Sequence, residues 1–217
     1  MRGGISIAAG GSRETSVVFV RDKETPLQRE LRETERLRDW VRDRLYEVHA
    51  GAGRARATSA VAAAAAEEAY RLSDQMPEWC NETSALWRAH LARVWAFLEG
   101  DSSQHYPLSS AIADFLTSPL NHNEGENGPD DFDRPQTVAS YSAVLSTVVW
   151  GVDFGVRAVT QIFDCLELKY GGEYTPERDA EVQREIRRVR DLVGRVVAAG
   201  QQGGPGLSPE LLAAIRS

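Results

Sequence analysis

The chain has 217 residues, 25 Lys or Arg against 32 Asp or Glu, a formal charge of -7, 42% hydrophobic and 26% charged residues. Such a balance excludes wholesale disorder and the concentrated basic face that nucleic acid requires. The length suffices for one domain that buries roughly 70% of its unfolded surface. The most arginine-rich stretch, Arg29 to Arg56, sets eight Arg against six acids, so its charges largely cancel.

Two distant cysteines, Cys80 and Cys165, exclude a disulfide framework or zinc ribbon and read as buried thiols. No apolar run reaches the length of about 18 residues that a membrane span needs. Met1 to Ala9 is too short an apolar stretch for a signal peptide and is followed by Gly10 and Gly11. The expectation is a cytoplasmic protein that needs no cofactor.

Residues 1–24 are rich in Gly and Ser and form an extension, in which only Ser16 to Val20 favours a strand. Thr25-Pro26 is a helix start, a capping residue followed by Pro at the first helical position. That helix should run to about His49, with Leu27, Leu31, Val41, Leu45 and Val48 on one stripe, Leu37 and Trp40 beside it, and alternating charges elsewhere. Glu33 with Arg36, Glu35 with Arg38 and Asp39 with Arg42 have the spacing of weak surface ion pairs.

Gly51-Ala52-Gly53 reads as a linker, followed by an alanine-rich helix over about 59–75 ended by Pro77. A third helix over about 83–98 carries Leu86, Trp87, Leu91, Val94, Trp95 and Leu98 on a wide apolar face. Residues 107–116 predict a shorter helix with Leu108, Ile112, Phe115 and Leu116 inward. The stretch 121–133 is polar, with Glu124, Glu126, Asp130, Asp131 and Asp133, no basic residue, and the glycines and Pro129 of a loop.

The segment from Pro135 is the most apolar, and Tyr141, Val144, Leu145, Val148, Val149 and Trp150 predict a helix buried on most sides. Gly151 should break it, with Asp153 capping the next helix, whose buried face is Val156, Val159, Ile162, Phe163, Leu166 and Leu168. Thr175-Pro176 starts another helix, carrying Val182, Ile186, Val189, Val193 and Val196 to Gly200. A glycine-rich link leads to a short helix from Ser208. The fold class is all-α: a single-domain bundle of about six to seven helices over 25–200, a short-strand or poorly ordered extension at 1–24, and a link with a short helix at 201–217.

No catalytic constellation stands out. His49, His90, His105 and His122 lie outside any Glu-x-x-His motif, and His90 reads as a satisfied, partly buried side chain. No nucleophile elbow or phosphate loop is present. Trp79, Trp87, Trp95 and Trp150 have helical spacing that suits core packing, with a ligand cavity as the alternative. The cluster Asp130-Asp131-Phe132-Asp133 has two readings. Asp130, Asp131 and Asp133 together offer oxygen ligands to a hard cation such as Mg²⁺ or Ca²⁺, or Asp133 caps the Pro135 helix beside acids that suit its positive end.

From about Val61 to Val197 the order of features resembles the DUF416 family, helical bacterial proteins of uncharacterised function. Four pieces carry the resemblance: the alanine helix ending Glu67-Glu68-Ala69-Tyr70-Arg71, the Leu86-Trp87-Arg88 to Val94-Trp95 helix, Pro129-Asp130-Asp131-Phe132-Asp133 before an apolar helix with Ala139 and Ala143, and the late helix with Glu181, Gln183, Glu185 and Ile186. The resemblance implies an all-helical fold and no known activity. Residues 1 to about 56, the Trp150-Gly151 break and the glycine-rich tail depart from that pattern.

Two functions follow as expectations. The first is a non-enzymatic interaction module, immunity-like or regulatory. It would meet another protein through an acidic surface with Glu124, Glu126, Asp130 and Asp131, or meet its own copy through the 25–49 helix. The second is a metal-dependent hydrolase or small-ligand binder, in which the 130–133 carboxylates converge with Asp114, Glu124 or Asp153.

Overall fold

A computed structural model describes residues 24–76, 82–117, 134–201 and 207–216. Among these residues the chain forms eight helices and no strand: α1 Pro26–Glu47, α2 Ala52–Ser73, α3 Glu82–Leu98, α4 His105–Thr117, α5 Pro135–Val148, α6 Val152–Lys169, α7 Pro176–Gln201 and α8 Pro209–Arg216. The all-α class holds, with one helix more than the upper expectation. The β-prone run Ser16 to Val20 lies outside the described residues.

Helix starts follow local chemistry. The Thr25 hydroxyl accepts from the Gln28 amide at 3.2 Å, while the Gln28 side chain accepts from the Thr25 amide at 2.8 Å, a reciprocal capping box. Thr175 likewise accepts from the amide of Arg178, and Ser208 from that of Leu211.

Two starts differ from expectation. Gly51-Ala52-Gly53 is not a linker, because α2 already begins at Ala52, with the turn made at Gly51 through its positive φ of 102°. Gly151 rather than Asp153 caps α6. Asp153 lies in the first turn and accepts from Arg42 of α1 at 3.3 Å. At the other end of that break, Trp150 takes φ 62°, and its indole donates to the Thr147 carbonyl at 2.9 Å.

Helix α2 is the axis of the bundle. It is buried on nearly every side and packs most extensively against α5 and α6, with α3, α7 and α8 around it. Its alanines permit this, since a side chain of one carbon lets flanking backbones come close. The approach of α6 is closest at Gly155, where an added Cβ would lie 2.9 Å from Thr58 Cγ2 and 3.4 Å from the Thr58 carbonyl. Helix α5 is buried around most of its circumference, as its composition requires. Three of its hydroxyls are satisfied within the helix: Ser142 donates to the Val138 carbonyl, and Ser146 and Thr147 both donate to that of Ala143, each at 2.8 Å.

One apolar cluster runs from Leu37 to Ile215. The α1 stripe Leu37, Val41, Leu45 and Val48 is spent inside it, against α6 and α7, whereas Leu27 and Leu31 in the first turns are exposed. Of the anticipated α1 surface pairs, Asp39 with Arg42 forms at 3.0 Å. Glu33 turns instead to Gln183 of α7, and Glu30 is buried against Arg178 of α7, whose Nη2 donates at 2.7 Å. Leu86, Leu116, Val149, Trp150 and Leu168, expected inward, are exposed.

Candidate functional sites: an apolar groove and an ionic cleft

The acidic residues singled out in the sequence, Glu124, Glu126, Asp130, Asp131 and Asp133, lie outside the described residues, as do His122, Trp79 and Cys80. The remaining carboxylates named with them go to different surroundings: Asp114 lines a groove between α3 and α4, and Asp153 pairs with Arg42. Among the described residues no group of three or more His, Cys, Asp or Glu side chains is placed to hold a metal ion. Cys165 is a buried thiol, packed 3.8 Å from the Ser73 hydroxyl and 3.7 Å from the Ala69 carbonyl. Burial first of all pushes its thiol up to about 12, so it stays protonated and unreactive.

The groove between α3 and α4 has a volume of about 320 Å³ and is lined by Thr83, Leu86, Trp87, His90, Ala111, Asp114 and Phe115. Trp87 forms its floor at 3% exposure, held edge-on by Phe115 at 5.7 Å and Tyr141 at 5.2 Å. Leu86 forms its lip at 56% exposure, and Leu116 and Tyr106 on α4 are exposed as well. Neighbours on a helix lie about 100° apart, and in this turn of α3 the larger Trp87 takes the core while Leu86 faces out. His90 is half-buried with its ring 5.3 Å from Trp87. Its Nδ1 is buried without a hydrogen-bond partner, and burial, followed by the charge of Arg93, lowers its affinity for a proton.

A second site lies between α2, α7 and α8, whose Glu68 and Glu185 the sequence marked only as part of the family resemblance and not as a site. Its inner chamber, about 50 Å³, has apolar walls that include Ala65, Ile162, Val189 and Ile215, and two carboxylates, Glu68 and Glu185. A vestibule of about 230 Å³ adjoins it through the shared residues Ala64, Glu68, Arg188 and Ile215. Arg71, Arg88 and Arg216 line the vestibule with Glu67 and Asp74.

Glu68 is saturated. Arg71 Nε donates to both of its oxygens, at 2.7 and 2.9 Å, and Arg188 pairs with it from α7. Glu185 is not. Its Oε1 meets Arg71 and Arg184 only at 3.4 Å each, and its Oε2 is buried with no partner. Burial, followed by the negative charge of Glu68, holds its carboxyl above the usual carboxylate range.

Nearby Glu181 shows the opposite balance. Burial pushes its carboxyl up, but the Lys169 ammonium at 2.9 Å and the Tyr170 hydroxyl at 2.7 Å outweigh that and bring it below the usual range. Trp95 is enclosed in the core beside this site, its indole donating to Glu67 at 2.9 Å with Arg216 over the ring. None of the described helices is long and apolar enough to cross a membrane. No family model matches the chain, and no curated protein or solved structure does.

Proposed function

We propose that the protein is a non-enzymatic interaction module that takes an apolar anchor side chain of a partner protein into the groove between α3 and α4. The observation behind it is Leu86: a leucine more than half exposed at the lip of a largely apolar groove whose floor is an aromatic cluster. Contiguous apolar surface of this kind, with anchoring pockets, is what protein interfaces use. The acidic stretch 121–133 follows α4 within a few residues in the sequence and carries five carboxylates without a basic residue. The partner's anchor is therefore expected to have Lys or Arg beside it. Membership of the DUF416 family and a cytoplasmic location belong to the same proposal.

The test is a selection of random peptides displayed on phage against the wild type and Leu86→Asp. Enriched peptides should carry a large apolar residue flanked by basic ones and bind the variant at least tenfold more weakly. Peptides that bind both proteins equally, or no enrichment at all, would sink this reading.

A further inference from the structure

Glu185 is the anomaly of the cleft. A carboxyl group that is 1% exposed, lines a cavity and leaves one oxygen without a partner is costly unless it is protonated or satisfied by something that enters. The charged groups of the two compartments and of the ion pairs beside them decide which. From α2 come Glu67, Glu68 and Arg71, with Asp74 in the turn after it. From α3 comes Arg88, from α6 Lys169, from α7 Glu181, Arg184, Arg188 and Arg195, and from α8 Arg216.

Around Glu185 itself, Glu68 stands against Arg71, Arg184 and Arg188, so the surroundings are cation-rich even with both carboxylates ionised. A cationic ligand is disfavoured there. An anion is favoured, and a protonated Glu185 can donate to it.

We propose that the cleft between α2, α7 and α8 binds a small carboxylate ligand, its oxygens taking one hydrogen bond from the Glu185 carboxyl and others from the Arg188 guanidinium. Three features converge on this choice. An inner chamber of about 50 Å³ holds on the order of four water-sized groups, the size of a carboxylate with one further carbon. Arg188 belongs to both compartments and, with its side chain 45% exposed, has donors beyond those that Glu68 takes. Ile162, Val189 and Ile215 offer apolar contact to a short chain attached to the carboxylate. An acid–carboxylate hydrogen bond of this kind is short and strong where water is excluded. The site is separate from the α3/α4 groove, and neither depends on the other.

Because the Glu185 proton is part of the complex, binding weakens about tenfold per pH unit once Glu185 ionises in the free protein. Glu185→Gln mimics the protonated acid: its amide still donates, but nothing titrates.

The experiment follows amide chemical shifts of the full chain in a zwitterionic amine buffer at pH 6, 7 and 8. Acetate, butyrate, succinate and inorganic phosphate are the probes. The expected result is saturable shifts in α7 and α8 with a carboxylate, weaker as pH rises, with the pH slope abolished but binding kept in Glu185→Gln. Binding should fall at least tenfold in Arg188→Ala, whose fold is checked by its melting curve. Absence of saturable shifts with any carboxylate overturns the proposal, as does an unchanged pH slope in Glu185→Gln. Binding of phosphate alone overturns the ligand class.

Discussion

The groove and the cleft meet on one helix: Trp87 of α3 faces the groove and its neighbour Arg88 faces the ionic vestibule. The groove is built mostly from apolar side chains over a buried aromatic floor, and its lip is exposed. The lip therefore tolerates different occupants and is cheap to alter, while the floor is not. The cleft is built from charges that each need a partner, and an unmet demand, such as the second oxygen of Glu185, stands out against the satisfied ones. An open apolar surface suits adaptable contact, while a half-satisfied ionic network suits one kind of small ligand.

The largest expected effect, and a reference for what a buried charge costs in this bundle, comes from the ion pair between α1 and α7. Glu30 and Arg178 are both more than nine-tenths buried, so Arg178→Met strands a carboxylate and is expected to cost about 3–5 kcal/mol in urea denaturation. The double change Glu30→Met with Arg178→Met should recover most of it. A loss under about 1 kcal/mol in the single variant would show that this pair does little to hold α1 on α7. The floor of the groove comes next: Trp87→Ala should cost about 3 kcal/mol, because the floor is core even though the lip is not.

Smaller, but diagnostic in sign, is Glu185→Gln. Its carboxyl sits above the ordinary range when folded. The stability it contributes is therefore complete below the unfolded value, near 4.5, and is lost as pH rises through the folded value. Denaturation midpoints measured from pH 5 to 8 should fall less with rising pH in the variant than in the wild type. Leu86→Asp should change stability by no more than about 0.5 kcal/mol, since the lip makes little of the core. A larger change would make Leu86 a structural residue and not a docking one.

The helices were legible where local chemistry decides them. Thr25-Pro26 and Thr175-Pro176 mark their starts through capping, and Gly151 marks the α5–α6 break through its position after an apolar run. Gly51-Ala52-Gly53 misled because two glycines suggest a link, although only Gly51 makes the turn and Gly53 is carried by the strong helix formers around it. Leu86 and Leu116 misled because periodicity marks a face wider than the core can accept.

The ionic cleft was illegible for a different reason. Glu68 and Glu185 each look like ordinary surface charges on an amphipathic helix. Only the packing of α7 on α2, pairing residues 114 apart such as Arg71 and Glu185, buries them together. The acids that drew attention in the sequence, Asp130, Asp131 and Asp133, fall outside the described residues, so the signal and the structure speak of different parts of the chain.

Helix α2 has a consequence beyond packing. Its central turns, buried against α3, α5, α6 and α7, are shielded from fraying in a way that its exposed ends at Ala52 and Arg71 are not. The amides of those central turns should therefore exchange with deuterium only through whole-molecule opening, at a rate that reports the global free energy. The eight-residue α8, resting on α2 from one side, should exchange by a smaller excursion. Opening is thus expected to begin at the C-terminal cover, with the central turns of the alanine helix exchanging last.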